Sequence, residues 1–305
     1  MSALADHLER YLAVRRGLGY QLSEHGRVLG TFVTYAEATD QHHVTVSAAL
    51  AWACRATSDD QVSRRLSMLR RFAVYLSAFD PATEIPPTNL GPPARGRSRP
   101  YLYSAEEVAA LMGAARALRP ELWGASLATL IGLMAATGIR SGEAYRLDRA
   151  NLDVDAGQLA VMHTKFGKSR LLPLHPTTAA ALARYLHVRD GAGEACEPAL
   201  FVTEAGRRIS ASRATYTFRR LLVTASIAAP AGRRRPRLYD LRHTFAVDTL
   251  LGWHRDGVDV QRQLPVLSAY LGHQKPADTY WYLEATPELM AVVADRLANS
   301  WESRP

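Results

Sequence analysis

Residues able to bind and attack a phosphate group are spread over four short segments between positions 137 and 282. They are Thr137–Glu143, the turn around Lys165, Leu241–Ala246, and Leu271–His273 with Tyr282 nine residues later. Arginine binds phosphate oxygens through a planar fork of N–H donors and stays charged at any cellular pH. A phenol has an ordinary pKa of about 10, so it needs nearby cations to become a nucleophile. Residues of these types could bind a phosphate group and attack it with a phenol oxygen.

Other catalytic motifs are incomplete or missing from the sequence. Phe166-Gly167-Lys168-Ser169 resembles the end of a phosphate-binding P-loop, but Met162 stands where that loop needs a glycine. There is no His-Glu-x-x-His pair, no cysteine cluster and no Gly-x-Ser-x-Gly elbow. Cys54 and Cys196 lie far apart and are interpreted as reduced thiols. We therefore expect no metal and no other cofactor.

The charge balance predicts a polyanionic partner. The chain has a formal net charge of +8, and arginine far outnumbers lysine. Nucleic acid and an anionic membrane are both candidates on charge alone. The sequence has no apolar run of about 18 residues and does not begin with a cationic segment followed by an apolar one. We therefore expect a cytoplasmic protein without a membrane attachment.

The elements that would position these residues fall into two parts. Apolar residues at helical spacing predict four short amphipathic helices over residues 1–90, which would form a small bundle. Prolines keep the following stretch extended, and residues 91–100 are predicted to be a basic linker. Arg95, Arg97 and Arg99 would lie along a phosphate backbone; a plain solvated linker is the alternative.

Residues 101–305 predict a mixed domain, mainly helical with a small β-hairpin. A capping box at Ser104 and Glu107 begins its first helix, and Gly138 ends a long apolar helix. Two strands, Leu159–His163 and Ser169–Leu174, would flank the turn that carries Lys165. Further helices are predicted, in chain order, over Thr177–His187, Ser212–Ala225, Leu238–Trp253, Val260–Leu271 and the amphipathic stretch 287–298.

These motifs, in this order, resemble the tyrosine recombinase (phage integrase) family over roughly residues 101–290. The N-terminal bundle is similar to the family's core-binding domain, and Tyr280–Leu289 resembles the transposon and plasmid integrase branch. The resemblance implies a DNA strand-exchange enzyme that cuts and rejoins DNA through a 3′-phosphotyrosine, without metal or ATP.

The resemblance also implies a role for each residue. Arg140 and Arg242 would bind the scissile phosphate, and Tyr282 would attack it. Lys165 would protonate the leaving 5′ oxygen, and His273 would donate a hydrogen bond to the phosphate.

Competing assignments exist for two of these roles. Tyr280 is the other candidate nucleophile, but on a helix it would point away from Tyr282. Lys168 would contact DNA phosphate rather than act as the acid. Glu143 is expected to orient an arginine or to cap the local backbone. His243, directly after Arg242, is expected to be a buried structural histidine.

One position departs from the family pattern. Tyr239 stands three residues before Arg242, where the family usually has histidine. A phenol can hydrogen-bond a phosphate oxygen, but near neutral pH it moves protons far less readily than imidazole. We expect the chemistry to be retained, with a slower proton-transfer step.

The resemblance further implies how the protein assembles. Two domains would close around double-stranded DNA, and four protomers, or this chain with sister recombinases, would act on two sites in the cytoplasm, associated with the nucleoid. In the family a terminal helix, here 287–298, packs on a neighbouring protomer. Two alternatives remain: a non-catalytic DNA-binding protein on the same scaffold, and a type IB topoisomerase.

Overall fold

The computed structural model describes residues 2–93, 99–162, 169–193, 197–273, 275 and 277–284. It confirms a mainly helical fold with a small antiparallel sheet. The chain divides into two compact units, Met1–Ser98 and Arg99–Pro305. No helix in the described ranges combines the length and apolar character needed to span a membrane.

The first unit is a bundle of four helices. They are α1 (Ala3–Gly17), α2 (Ser23–Ala38), α3 (Val46–Ala53) and α4 (Asp59–Leu76). Side chains of Ser2, Thr45 and Ser58 cap α1, α3 and α4 by accepting from a backbone N–H of the first turn. Phe32 and Trp52 pack edge to face in the core, with ring centroids 5.3 Å apart.

The proline-rich segment that follows α4 packs against that helix as far as residue 92. Arg70 donates to the carbonyl of Pro86 at 2.6 Å and also to that of Pro87. Ser63 Oγ donates to the carbonyl of Pro92 at 2.8 Å. The segment is non-helical, as predicted, but α4 holds this part of it through side-chain hydrogen bonds.

The second unit contains eight helices and three strands in the ranges that the structure describes. In chain order they are α5 (Ala105–Arg116), α6 (Glu121–Thr137), α7 (Ser141–Arg146), β1 (Leu152–Asp153), β2 (Gln158–Val161), β3 (Arg170–Pro173), α8 (Pro176–Asp190), α9 (Ala211–Thr224), α10 (Asp240–Arg255), α11 (Val260–Leu271) and α12 (Ala277–Glu284). The sheet order is β1-β2-β3 and both pairs are antiparallel, with Leu159 opposite Leu172. The sequence had predicted only the hairpin of β2 and β3.

Helix α6 forms the centre of this unit. Leu127, Leu130, Ile131 and Met134 are fully buried or nearly so, because α6 is apolar on every side. Gly138 ends α6 in the left-handed conformation, with φ +60°. A Cβ there would lie 2.5 Å from Cδ1 of Phe245 in α10, so the glycine permits close packing of these two helices.

Candidate active site

The carboxyl end of α11 offers two successive carbonyl oxygens to the two arginines predicted to bind phosphate. Arg242 Nη2 donates to the carbonyl of Leu271 at 2.8 Å, and Arg140 Nη2 donates to that of Gly272 at 2.7 Å. Gly272 ends α11 with φ +69°. This turn therefore brings together two guanidinium groups that lie more than 100 residues apart in the sequence.

Arg242 is a buried cation whose described partners are neutral. Its exposure is 0%, and Nη1 donates to the carbonyl of Gly138 at 2.7 Å. Within the described ranges no carboxylate forms an ion pair with it, and its Nε has no acceptor in good geometry. Burial lowers the pKa of Arg242, and the nearby charge of Arg140 lowers it further. A desolvated cation of this kind gains stability from a bound anion.

Glu143 orients Arg140, which confirms the sequence prediction. It is 4% exposed, and its Oε1 accepts from Arg140 Nη1 at 2.8 Å. Its Oε2 accepts from the backbone N–H of Arg140 at 3.3 Å. Burial raises the pKa of Glu143, but hydrogen bonds and charges from Arg170 and Arg140 outweigh it, so the pKa lies below its ordinary value. The carboxylate is therefore ionised and fixes the direction of the Arg140 side chain.

Arg170 is a site residue that the sequence interpretation missed. It donates Nη2 to Glu143 Oε2 at 2.8 Å and Nε to the carbonyl of Tyr270 at 3.0 Å. A signal did exist in β3, because Arg170 and the fully buried Leu172 are two residues apart and share one face of the strand. An arginine at an inward strand position indicates a specific partner.

Tyr282 faces this cluster and Tyr280 does not. The exposed fraction is 3% for Tyr282 and 47% for Tyr280. The Tyr282 ring stacks on His273, with centroids 6.0 Å apart and planes at 16°, and lies 5.5 Å from the His243 ring. Burial raises the pKa of Tyr282, while the charge and hydrogen bonding of Arg242 oppose that rise. The phenol is therefore neutral in this structure, and the neighbouring guanidinium of Arg242 favours its deprotonation.

His273 is held between the arginines and α12. Its Nδ1 lies 2.7 Å from Thr279 Oγ1, and its backbone N–H donates to the carbonyl of Ser268 at 2.9 Å. Burial, followed by the charges of Arg242 and Arg140, lowers the pKa of His273 to about 4. The imidazole is neutral near pH 7, so one ring nitrogen carries a proton and the other a lone pair.

Tyr239 lies at the start of α10, at the surface beside the site. It is 37% exposed, and its ring contacts that of His243 edge to face at 5.2 Å. His243 in turn contacts Tyr282, so three rings connect Tyr239 to the candidate nucleophile. His243 was expected to be buried, but it is only partly buried, and its ring contacts those of both Tyr239 and Tyr282.

Four other predicted residues have no described placement. Lys165 and Lys168, and the linker residues Arg95 and Arg97, lie outside the described residues. Arg99 is described and is exposed. The residues that the structure brings together are thus Arg140, Arg242, His273 and Tyr282, with Tyr239 at the edge.

A separate groove of about 670 Å³ lies between α5, α6, α8 and α10. Its lining includes Met112 and Tyr185 but none of the four clustered residues. The described residues also contain no group of three or more His, Cys, Asp or Glu side chains able to hold a metal ion. The chemistry indicated by the sequence therefore belongs to the arginine cluster rather than to the groove.

Proteins of one family match the chain over most of its length. The phage integrase family matches residues 102–288. A Sinorhizobium fredii protein named as an integrase/recombinase, y4rB, is 41% identical over 313 residues, with 100% of both chains covered. The tyrosine recombinase XerD of Caulobacter vibrioides is 31% identical over 241 residues, covering 78% of this chain and 74% of that one.

Solved structures share the fold at lower identity. The Tn1549 transposon integrase in complex with transposon right end DNA gives a TM-score of 0.66 at 16% identity, over 98% of this chain and 100% of that one. A lambda integrase dimer bound to a COC′ core site gives 0.61 at 16% identity, over 90% and 96% of the two chains. With the family match and the relatives above, the chain belongs to the phage integrase family and is a site-specific recombinase of the tyrosine type.

Proposed function

We propose that the protein cleaves and rejoins duplex DNA through a covalent 3′-phosphotyrosine at Tyr282, and exchanges strands between two sites in an assembly of four protomers. The observation that carries this proposal is the buried guanidinium of Arg242, which has only neutral described partners and lies beside Arg140 and Tyr282. A single DNA phosphate is the anion that fits such a group in this family.

The arginines stabilise the transition state of the proposed cleavage. Tyr282 Oη forms a bond to phosphorus while the bond from phosphorus to the 5′ oxygen breaks, and charge builds on the non-bridging oxygens. Arg140 and Arg242 donate to those oxygens, and one such donor is worth roughly 3–4 kcal/mol in a transition state. Carbonyls and Glu143 already hold both guanidiniums in place, so little reorganisation accompanies the reaction.

Proton transfers complete the step. The phenol proton of Tyr282 passes to solvent water as the bond from its oxygen to phosphorus forms. Lys165 gives its proton to the leaving 5′ oxygen, and His273 donates a hydrogen bond to the phosphate. Tyr239 takes the position of the usual histidine and donates its hydroxyl to a phosphate oxygen. In the reverse step a free 5′-hydroxyl of the partner strand attacks the phosphotyrosine and releases Tyr282, so the phosphodiester energy is conserved.

DNA binding and assembly follow the same proposal. Arg95, Arg97, Arg99 and Lys168 contact the phosphate backbone, so affinity falls with added salt. The structurally similar lambda integrase was solved as a dimer on DNA, and the Tn1549 integrase in complex with transposon end DNA. By analogy this chain works on two DNA sites as a homotetramer or together with sister recombinases, in association with the nucleoid in the cytoplasm.

A nicked suicide substrate tests the chemistry. A nick next to the cleaved position lets the short fragment diffuse away after attack, so the covalent adduct accumulates. We expect an adduct with the native protein and with Tyr280→Phe, and none with Tyr282→Phe. An adduct that survives Tyr282→Phe would overturn the assignment of the nucleophile.

Combined with a DNA-binding assay and a supercoil-relaxation assay, the suicide substrate separates the two rival functions. Tight, site-specific DNA binding without any adduct would identify a non-catalytic DNA-binding protein. Relaxation of supercoiled DNA without a specific site, and without strand exchange, would identify a topoisomerase-like activity.

A further inference from the structure

Three consecutive arginines precede α10 and take no part in the site described above. Arg233, Arg234 and Arg235 are exposed, and they form no ion pair within the described ranges. Like charges on adjacent residues repel one another, so a bound polyanion would stabilise the run. The sequence signal was plain in Gly232-Arg-Arg-Arg-Pro236, but the sequence interpretation did not use it.

The residues that directly follow the three arginines are held in place by burial and hydrogen bonds. Pro236 is buried, and the carbonyl of Arg237 accepts from the Tyr103 hydroxyl at 3.0 Å. Arg237 Nη2 donates to Asp240 Oδ1 at 2.8 Å, and Asp240 is 2% exposed. The three arginines therefore extend from an anchored point at the start of α10.

That anchored point is next to the reaction centre. Tyr239, four residues after Arg235, is the edge of the ring series that leads to Tyr282. Four residues span at most about 14 Å. Phosphates follow one another at about 3.4 Å of axial rise along one DNA strand. The distance between Arg235 and Tyr239 therefore corresponds to at most roughly four phosphate spacings along a bound duplex.

We propose that Arg233, Arg234 and Arg235 form a surface that binds the DNA backbone beside the cleaved phosphate. This inference rests on the proposed function of the same site. Each arginine that neutralises a phosphate releases counterions, so it steepens the fall of affinity with salt by about 0.9 in the logarithmic slope.

The test compares two triple variants of equal charge. Binding of a fluorescent random-sequence duplex of about 30 base pairs is measured from about 50 to 200 mM KCl. Arg233→Gln/Arg234→Gln/Arg235→Gln should reduce the salt slope by about two to three. The control variant replaces three other exposed arginines by glutamine: Arg116 on α5, Arg119 on the α5–α6 turn and Arg184 on α8. It should leave the slope near the native value.

Equal slopes for the two triple variants would overturn the proposed surface. The suicide-substrate assay at low salt distinguishes failure of this proposed surface from failure of the proposed function. The Arg233–Arg235 variant should still form the adduct there, because its catalytic groups are intact. If the native protein forms no adduct, the proposed function itself fails, whatever the salt slopes of the two variants.

A second inference concerns Thr279 and rests on a different observation. Thr279 is 0% exposed, and its hydroxyl lies 2.7 Å from Nδ1 of His273. A buried hydroxyl needs an acceptor for its proton, and His273 Nδ1 is the only one found for it within the described ranges. The Thr279 hydroxyl therefore donates to Nδ1, and the proton of the neutral imidazole is on Nε2.

The geometry points to Thr279 as a positioning residue that fixes the tautomer of His273, so that Nε2–H is the group offered to the phosphate. The opposite tautomer would present a lone pair to the phosphate oxygens and repel them. Stacking on Tyr282 holds the plane of the imidazole, and Thr279 holds its rotation within that plane.

Thr279→Val keeps the shape and removes the hydroxyl. We expect adduct formation to slow by about three- to tenfold, which corresponds to one hydrogen bond, with DNA affinity unchanged. Thr279→Ser should restore the rate. In a His273→Ala background, Thr279→Val should have no further effect, because the group that it positions is gone.

Full rates in Thr279→Val, or additive losses in the double variant, would overturn this role. A loss in Thr279→Ser equal to that in Thr279→Val would do the same, since it would indicate packing rather than hydrogen bonding. This inference also rests on the proposed function, and the native protein forming no adduct would refute that function first.

Discussion

Replacement of Gly272 by alanine should disrupt the turn that holds both arginines. The residue has φ +69°, where a side chain costs about 1–2 kcal/mol. A Cβ would also lie 2.8 Å from Arg170 Nη1 and 3.3 Å from Arg140 Nη1. Arg170 is tied to Glu143 and to the Tyr270 carbonyl, so it cannot move without losing hydrogen bonds. Overpacking of this kind costs about 1–3 kcal/mol, so we expect a total loss of about 2–5 kcal/mol in the free energy of unfolding.

Gly257 supplies a matched control. It has φ +70°, but an added Cβ there would meet nothing within 4 Å. Gly257→Ala therefore carries the backbone strain alone, about 1–2 kcal/mol. The difference between the two variants measures the collision with the guanidiniums.

Urea denaturation gives the two stabilities, and the suicide substrate gives the cleavage rate at a temperature where both variants are folded. We expect Gly257→Ala to cleave at the native rate. Gly272→Ala should be slower by about ten- to a hundredfold, because displaced guanidiniums no longer meet the phosphate oxygens. Equal stability losses, or a native cleavage rate in Gly272→Ala, would refute the idea that this turn positions the arginines.

Three further predictions follow from the site. Tyr239→His restores the family pattern and should cleave at least as fast as the native protein in a single-turnover assay; a loss of cleavage would mean that the phenol has another role. Glu143→Gln leaves Arg140 and Arg170 without a carboxylate and should cost about 2–4 kcal/mol in urea denaturation at pH 7. Because folding lowers the pKa of Glu143, its carboxylate stabilises the fold above the ordinary value of 4.5, and this stabilisation is lost as pH falls through the folded pKa. Glu143→Gln should therefore lose less stability below pH 4.5 than the native protein. Equal acid sensitivity of the two proteins would contradict this. Folding lowers the pKa of His273 from 6.5 to about 4, so between these pH values the unfolded chain binds a proton that the folded protein does not. The free energy of unfolding of the native protein should therefore fall as pH drops from 6.5 to 4, and it should fall less in His273→Asn. Parallel pH profiles for the two proteins would show that this histidine is not buried as described.

Local sequence patterns predicted the helices well where a clear stop signal exists. The long apolar helix expected to end at Gly138 is α6, and the helix expected over Val260–Leu271 has those bounds. In both, a glycine in the left-handed conformation ends the helix. Strand β1 was missed because two residues are too short to show a period.

The assembly of the site could not be obtained from local pattern. Arg140 contacts the Gly272 carbonyl, and Arg242 contacts that of Gly138, across 132 and 104 residues. No periodicity or spacing encodes such contacts. The expectation that these residues gather at one phosphate came from the resemblance to a family, and the carbonyl contacts themselves were not predicted. The alternation of β3 marks Arg170 as inward-facing, but its partners Glu143 and Tyr270 are remote in sequence, so local pattern could not assign its role.

The charge balance of the cluster fits the reaction better than either arginine considered alone. Arg140 and Arg170 share the carboxylate of Glu143, whereas the described partners of Arg242 are neutral, namely two backbone carbonyls and the phenol of Tyr282. Carbonyls orient a guanidinium without neutralising it, so the three guanidiniums and one carboxylate of the described residues leave a surplus of two positive charges, to which the proposed acid Lys165 adds a proton that it gives to the leaving oxygen. A phosphodiester carries one negative charge, and attack by a phenolate brings a second into the same space. The surplus therefore matches the transition state more closely than the bound substrate, and differential binding of that kind is what accelerates a reaction.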